Sequence, residues 1–333
     1  MLTQDEAQKL MQIISENNTF LITTHHNPDG DALGSEIAMS EYLKSLGKDV
    51  YIVNNLETPD NYQFLDVNKE ILIYEKHKHL QLVTAADVFF ILDISDWPRL
   101  RELGELIKKS PAHKICIDHH HVDYKFADID IIYEEVSSTG ELLYEFLKFV
   151  NFPLNQKTAT ALYTCILTDT GSFRFSNTSD KTHSVASELL KTGIKSREIF
   201  CQIYEQNSKS KMALMGEALS HLNYDCNGKL AWFVLTNEMF TKHGANCWDT
   251  EGFSELPRTI KGVEVSLMIT ELKKNEIKIS LRSNGKIVIN TIAQTFGGGG
   301  HNFAAGAKIN KSLVEALPLV LKEIKRKICD DLI

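Results

Sequence analysis

The chain has 333 residues, 43% of them hydrophobic and 24% charged, with a formal net charge of −8. That length exceeds what a single core ordinarily serves, so two domains are expected. The acidic balance, with lysine and arginine dispersed, excludes a protein that grips long nucleic acid through a basic face, because phosphate neutralisation supplies most of that affinity.

No apolar stretch approaches the length of a membrane span, and residues 1–6 have neither the basic start nor the apolar core of a signal peptide. The six cysteines are scattered, with no C-x-x-C pair, and several sit in apolar runs as reduced thiols do. These features predict a cytoplasmic protein with no membrane partner.

In chain order, Thr3-x-x-Glu6 reads as a capping box opening a helix with Leu10, Ile13 and Ile14 on its apolar face. Strand-like runs follow at 20–24, 50–53, 88–92 and 114–117, separated by helical patterns such as 33–46 and 100–108. This alternation predicts an α/β domain: a parallel sheet with helices on both faces. Further helices are expected at 141–150, 156–168 and 181–191. The Ser137-Ser138-Thr139-Gly140 run reads first as a helix N-cap and second as a phosphate site. Residues 1–195 form the first expected domain and 196–212 a polar helical connector. Residues 213–333 form a smaller α+β domain, with strands at 230–235, 263–271 and 277–282 and a last helix at 313–326. Trp97, Trp232 and Trp248 lie apart and make no stacking platform for single strands.

The segment His25-His26-Asn27-Pro28-Asp29-Gly30-Asp31 places imidazole and carboxylates directly after an apolar run. That donor mixture suits Mn²⁺, Mg²⁺, Fe²⁺ or Zn²⁺. Its Pro-Asp-Gly-Asp turn chemistry predicts that these side chains sit on a loop, with Gly30 letting Asp29 and Asp31 face different ions. The run at 88–92 ends at Asp93, the run at 114–117 at Asp118-His119-His120-His121, and a helix at Asp169. In an open parallel sheet, ligands bind beyond the carboxyl ends of the strands, so these groups should converge on one crevice. Each alone has an ordinary reading: a helix cap for Asp93, a solvated loop for the histidines, a turn residue for Asp169. Together, crowded carboxylates would raise one another's pKa, and two divalent cations would remove that penalty. His25, Asp29 and Asp93 could hold one ion; Asp31, Asp93, His119 and Asp169 could hold the other, with Asp93 bridging.

Gly297-Gly298-Gly299-Gly300 precedes His301 near the end of the chain. Packing is not expected to explain four successive glycines, whereas close backbone approach and free N–H groups could cradle an anion; a flexible loop is the ordinary alternative. Gly298, Gly299, Gly300, His301, Arg282 and Ser283 are therefore expected substrate contacts, with Arg174 just past Asp169 a further one or a surface ion-pair partner.

The H-x-N-P-D-G-D-A-x-G-S segment at 25–35, the strand-end Asp93, Asp118-His119-His120 and Thr168-Asp169-Thr170-Gly171 together resemble the DHH phosphoesterase superfamily. Residues 296–306, Phe-Gly-Gly-Gly-Gly-His-Asn-Phe-Ala-Ala-Gly, resemble the signature of its associated C-terminal substrate domain. The chain is most similar to the NrnA group of bacterial oligoribonucleases. The resemblance implies manganese at both metal positions, with magnesium or cobalt as alternatives. It implies His120 facing the scissile phosphate as electrophile or acid, and Asp118 orienting the cluster. It further implies metal-assisted hydrolysis of short RNA to 5′-mononucleotides and of 3′-phosphoadenosine 5′-phosphate to AMP. A homodimer is the expected assembly. The alternatives are a phosphodiesterase for linear or cyclic dinucleotides (pApA, cyclic di-AMP) and a nucleotide-binding regulatory module. This chain adds His26 and His121 beside the expected histidines.

Overall fold

Short apolar runs alternating with helices become a parallel sheet buried on both faces, and the order of its strands decides where chemistry can sit. The computed structural model describes residues 2–122 and 124–332, the side chains of 330–332 excepted. The chain divides into two compact units, Met1–Gln206 and Asn207–Ile333.

In the first unit the strands are β1 (Thr19–Thr23), β2 (Asp49–Asn54), β3 (Ile71–Ile73), β4 (Val88–Leu92), β5 (His113–Asp118) and β6 (Ile129–Ile132). All pairings are parallel, in the order β3-β2-β1-β4-β5-β6. The order reverses between β1 and β4, which is where an open α/β sheet leaves a crevice at its carboxyl edge. The helices are α1 (Gln4–Glu16), α2 (Gly30–Ser45), α3 (Lys76–Ala85), α4 (Arg101–Lys109), α5 (Thr139–Phe149), α6 (Gln156–Asp169), α7 (Asp180–Leu190) and α8 (Ser196–Tyr204). The Thr3–Glu6 capping box opens α1.

Alternation along the strands feeds two cores. Phe20, Ile22, Phe90 and Leu92 pack with α1, α2, α5, α6 and α7 on one face, while Leu21, Phe89 and Ile91 pack with α3 and α4 on the other. Each fully buried side chain of this size contributes ~1.5–3 kcal/mol. Helix α8 buries Ile199 and Ile203 in the first of these cores. Three helices approach to backbone contact. A Cβ on Gly34 of α2 would lie 2.4 Å from the Ala161 carbonyl oxygen of α6, and one on Gly140 of α5 would lie 2.3 Å from Cys165 Cβ. Strands β3 and β6 lie outside the sequence reading; at three and four residues they are too short for periodicity to register.

The second unit holds β7 (Asn223–Asp225), β8 (Leu230–Leu235), β9 (Val265–Lys273), β10 (Glu276–Ser283), β11 (Gly299–His301) and β12 (Ala304–Ile309), in the order β11-β12-β10-β9-β8-β7. Only the β8–β9 pairing is parallel among the described residues. Helices α9 (Lys209–Ser220), α10 (Asn237–His243), α11 (Asn290–Thr295) and α12 (Leu313–Leu332) complete it. Ala316, Val320, Ile324 and Ile328 of α12 cover one face of this sheet, and Leu214 of α9 and Met239 of α10 cover the other. Helix α12 runs past residue 326, where the sequence reading ends it. No helix among the described residues is long and apolar enough to cross a membrane.

Candidate metal centre

His25 follows β1 by two residues and is 4% exposed. Asp29 is the N-cap of α2: its Oδ1 accepts from the N–H groups of Asp31 and Ala32, both at 3.1 Å. That leaves Asp29 Oδ2 facing His25 Nε2 at 3.8 Å. Asp31 lies in the first turn of α2 rather than on the expected loop, and it is fully buried. Its Oδ2 accepts from Thr139 N at 2.7 Å and its Oδ1 from Gly140 N at 2.9 Å, so the N-terminal turn of α5 holds both oxygens. Gly30 stands between Asp29 and Asp31, which fall in different ligand groups, and it also has a packing role. A Cβ there would lie 2.5 Å from Thr168 Cγ2, so glycine is required for α2 to approach the end of α6.

Asp93 follows β4 and is 2% exposed, with φ of +58°, a left-handed conformation that Asp and Asn tolerate better than most residues. It caps no helix. Its Oδ2 lies 3.6 Å from His25 Nε2, and its Oδ1 lies 3.6 Å from His119 Nε2 and 3.8 Å from His120 Nδ1. The Thr139 hydroxyl donates to that same Oδ1 at 3.1 Å. His119 Nε2 also faces Asp31 Oδ2 at 3.6 Å and Asp169 Oδ2, at the end of α6, at 3.3 Å.

These separations are too long for good hydrogen bonds. His119 Nε2 is buried and has no hydrogen-bond partner among the described residues, although three carboxylates surround it. Two groups of potential ligands therefore form, His25–Asp29–Asp93 and Asp31–His119–Asp169, with Asp93 also grouped with His119 and His120. Imidazole and carboxylate donors facing one another across such gaps fit a hard divalent cation.

Electrostatics point the same way. Burial pushes the Asp169 carboxyl up to about 9, reinforced by the charges of Asp31, Asp29 and Asp118. Burial raises Asp31, and raises Asp93 well above the usual carboxylate range, with neighbouring carboxylates adding to the effect at Asp93. Burial also holds the His25 imidazole down at about 4, so it presents a neutral ring.

His120 Nδ1 bonds to Asp118 Oδ1 at 2.7 Å. Burial works against its charged form, but the Asp118 bond and the Asp118 charge together outweigh it and raise the imidazole. Burial opposes ionisation of Asp118 too, yet the His120 bond and charge, with hydrogen bonds from Ser95 and the His120 backbone, together bring that carboxyl below its usual range. The two extra histidines have partners of their own: His121 bonds Glu134 at 2.7 Å, and His26 bonds Arg101 at 3.1 Å.

Thr139 and Gly140 are the participants that sequence reasoning missed. The Ser-Ser-Thr-Gly run does cap α5 through Ser138, but the N–H groups of that helix start are satisfied by a buried carboxylate of the same chain. An acid already placed nearby was the available signal.

Within the second unit, Arg282 is ion-paired with Glu255, and its Nη1 donates to its own neighbour's carbonyl, Leu281 O, at 2.9 Å. Ser283 is 7% exposed and its hydroxyl donates to Glu264 Oε1 at 3.4 Å. His301 is exposed on β11. Packing explains part of the glycine run, contrary to expectation. A Cβ on Gly298 would lie 2.1 Å from the Gly306 carbonyl oxygen, and one on Gly300 would lie 2.5 Å from Ala304 O. Gly299 faces open space. Arg174, in the first unit, is exposed and donates Nε–H to Gly171 O at 2.6 Å.

Residues 19–166 match the DHH family, N-terminal domain, and residues 210–330 match the DHHA1 domain. The bifunctional oligoribonuclease and PAP phosphatase NrnA of Thermus thermophilus is 29% identical, over 92% of this chain and 89% of its own. The cyclic-di-AMP phosphodiesterase GdpP of Geobacillus thermodenitrificans is 27% identical over 95% of this chain and 48% of its own. The crystal structure of an exopolyphosphatase-related protein from Bacteroides fragilis superposes with a TM-score of 0.92. It is 32% identical and covers 98% of this chain and 97% of that one.

Proposed function

The chain belongs to the DHH family and carries a DHHA1 domain, and on that premise we propose that it is a phosphoesterase acting on short nucleotides. Its substrates are short RNA, cleaved to 5′-mononucleotides, and 3′-phosphoadenosine 5′-phosphate, cleaved to AMP. One observation carries the reading: the two oxygens of Asp93 face different ligand groups, Oδ2 towards His25 and Oδ1 towards His119. A carboxylate so placed suits a bridge between two cations.

His25, Asp29 and Asp93 would hold one divalent ion; Asp31, Asp93, His119 and Asp169 would hold the other. Bound there, manganese, or else magnesium or cobalt, would supply an activated water and polarise the phosphoryl oxygens. The chain's own groups do the rest. The Asp118 carboxylate accepts from His120 Nδ1–H and fixes the ring. His120 Nε2 is then the atom that holds a proton for the leaving 3′ oxygen and faces the developing phosphoryl charge. Gly298, Gly299, Gly300, His301, Arg282, Ser283 and Arg174 are the substrate contacts, and the protein works in the cytoplasm as a homodimer.

The match to a cyclic-di-AMP phosphodiesterase favours dinucleotides as a second substrate class. The test is manganese-dependent release of mononucleotides from RNA of two to five residues, run beside pApA and 3′-phosphoadenosine 5′-phosphate. Tight nucleotide binding without turnover by metal-loaded protein would instead make this chain a regulatory module.

A further inference from the structure

His26 is an additional histidine that the metal groups do not use, and its surroundings are cationic. Its backbone N–H donates to Arg99 O at 3.0 Å, and its Nε2 meets Arg101 Nη2 at 3.1 Å. A guanidinium can only donate, so His26 Nε2 accepts and aims the Arg101 fork. Because His26 directly follows the candidate ligand His25, these two contacts hold residues 99–101 against the edge of the metal centre.

The segment that carries these arginines is pinned. Trp97 stacks on Phe126 with ring centroids 4.5 Å apart and donates Nε1–H to Phe126 O. Leu100 is fully buried, and its carbonyl accepts from Asn55 Nδ2 at 3.1 Å. Arg101 itself adopts φ of +53° and ψ of −141°, a backbone conformation that favours glycine. Among the described residues neither arginine has a carboxylate partner. Glu102, the acid next in sequence, is taken by Lys76 at 2.5 Å. Two arginines without a carboxylate partner, on a pinned backbone next to a carboxylate-rich site, call for an anion.

We propose that Arg99 and Arg101, with His26 as a positioning residue, form an anion subsite that binds a second phosphate of the substrate. The inference rests on the phosphoesterase reading and deepens it. The reacting phosphate is balanced at the metal groups, whereas a second phosphate would otherwise meet the exposed Asp29. Substrates with two phosphates would then be selected over those with one.

The test is calorimetric titration of the metal-free protein with adenosine 3′,5′-bisphosphate and with 3′-AMP, for the wild type and for R99A/R101A. Binding is thereby read without turnover, so failure of the phosphoesterase reading shows up separately as absent hydrolysis. The double variant should weaken bisphosphate binding at least tenfold and shift 3′-AMP binding less than threefold. The R101G variant, which removes the side chain without straining the backbone, should give part of the same loss, and R99K/R101K should recover part of it. In the metal-loaded enzyme the loss should appear in KM more than in kcat. Equal weakening of both ligands, or bisphosphate binding retained in R99A/R101A, would overturn the subsite.

Discussion

The Thr139 hydroxyl donates to Asp93 Oδ1 at 3.1 Å, from the first turn of α5 to the residue that follows β4. It joins a side chain outside the candidate ligand groups to the carboxylate whose two oxygens face His25 and His119. Thr139→Val keeps the shape and removes the donor. Metal affinity should fall ~10–100-fold, as for other residues that orient a ligand, with activity recovering at high manganese. Titration of manganese against activity and against heat of binding checks this.

Asp93→Asn is the sharper change, because Asn tolerates the positive φ of that position. Turnover should fall by on the order of 10³-fold or more, beyond the loss of one electrostatic stabiliser. The metal-free variant should nevertheless be more stable at pH 8 by about 1–3 kcal/mol, since one crowded acid has gone. Melting with and without manganese reads both effects, and the stabilisation by manganese should shrink.

The raised carboxyls give the metal-free protein a definite pH dependence. Asp169 titrates at about 9 when folded and near 4 when unfolded, so its contribution is complete below pH 4 and is lost as pH rises through 9. His25, held at about 4, contributes above 6.5 and loses its contribution as pH falls through 4, so it does not titrate above 7. Between pH 7 and 9 the raised carboxyls give a falling slope, and His120, raised by its Asp118 partner against burial, adds to it in the same direction. Stability should fall by up to ~1.4 kcal/mol per pH unit for each proton released. Saturating manganese should flatten this trend, and metal affinity should rise over the same interval.

Gly298 and Gly299 should behave differently although they are adjacent. Gly298→Ala places a methyl against the Gly306 carbonyl of β12 and should cost about 1–3 kcal/mol. Gly299→Ala meets nothing within 4 Å and should change stability by under ~0.5 kcal/mol. If Gly299 contacts the substrate as proposed, its variant raises KM in a fully folded protein. Urea unfolding beside steady-state kinetics separates the two.

The grouping of the candidate ligands was legible because Asp93, Asp118 and Asp169 stand where apolar runs stop. Val88–Leu92 could only be a buried strand, and a carboxylate after it has to be at the sheet's edge. The switch between β1 and β4 then gathers what the text of the chain scatters. Thr139 was not legible in the same way: a threonine before a helix is ordinary capping chemistry, and its real partner lies 46 residues away. The same holds for Gly30, whose role depends on Thr168, and for Gly298, which depends on Gly306. Contacts across such distances leave no local pattern, and short strands such as β11 have too few residues to show a period.

The glycine contacts among α2, α5 and α6 have a consequence for the candidate metal centre. Asp31 rides on α2, Thr139 on α5 and Asp169 on α6, so the mouth formed by these groups is as wide as the three helices allow. Helix spacing thereby sets how far apart the candidate ligands Asp31 and Asp169 stand. A methyl group added at Gly34 would meet the Ala161 carbonyl and the Cys165 thiol, which itself contacts the Asp31 backbone, so it should widen that spacing and weaken metal binding without altering a single donor atom.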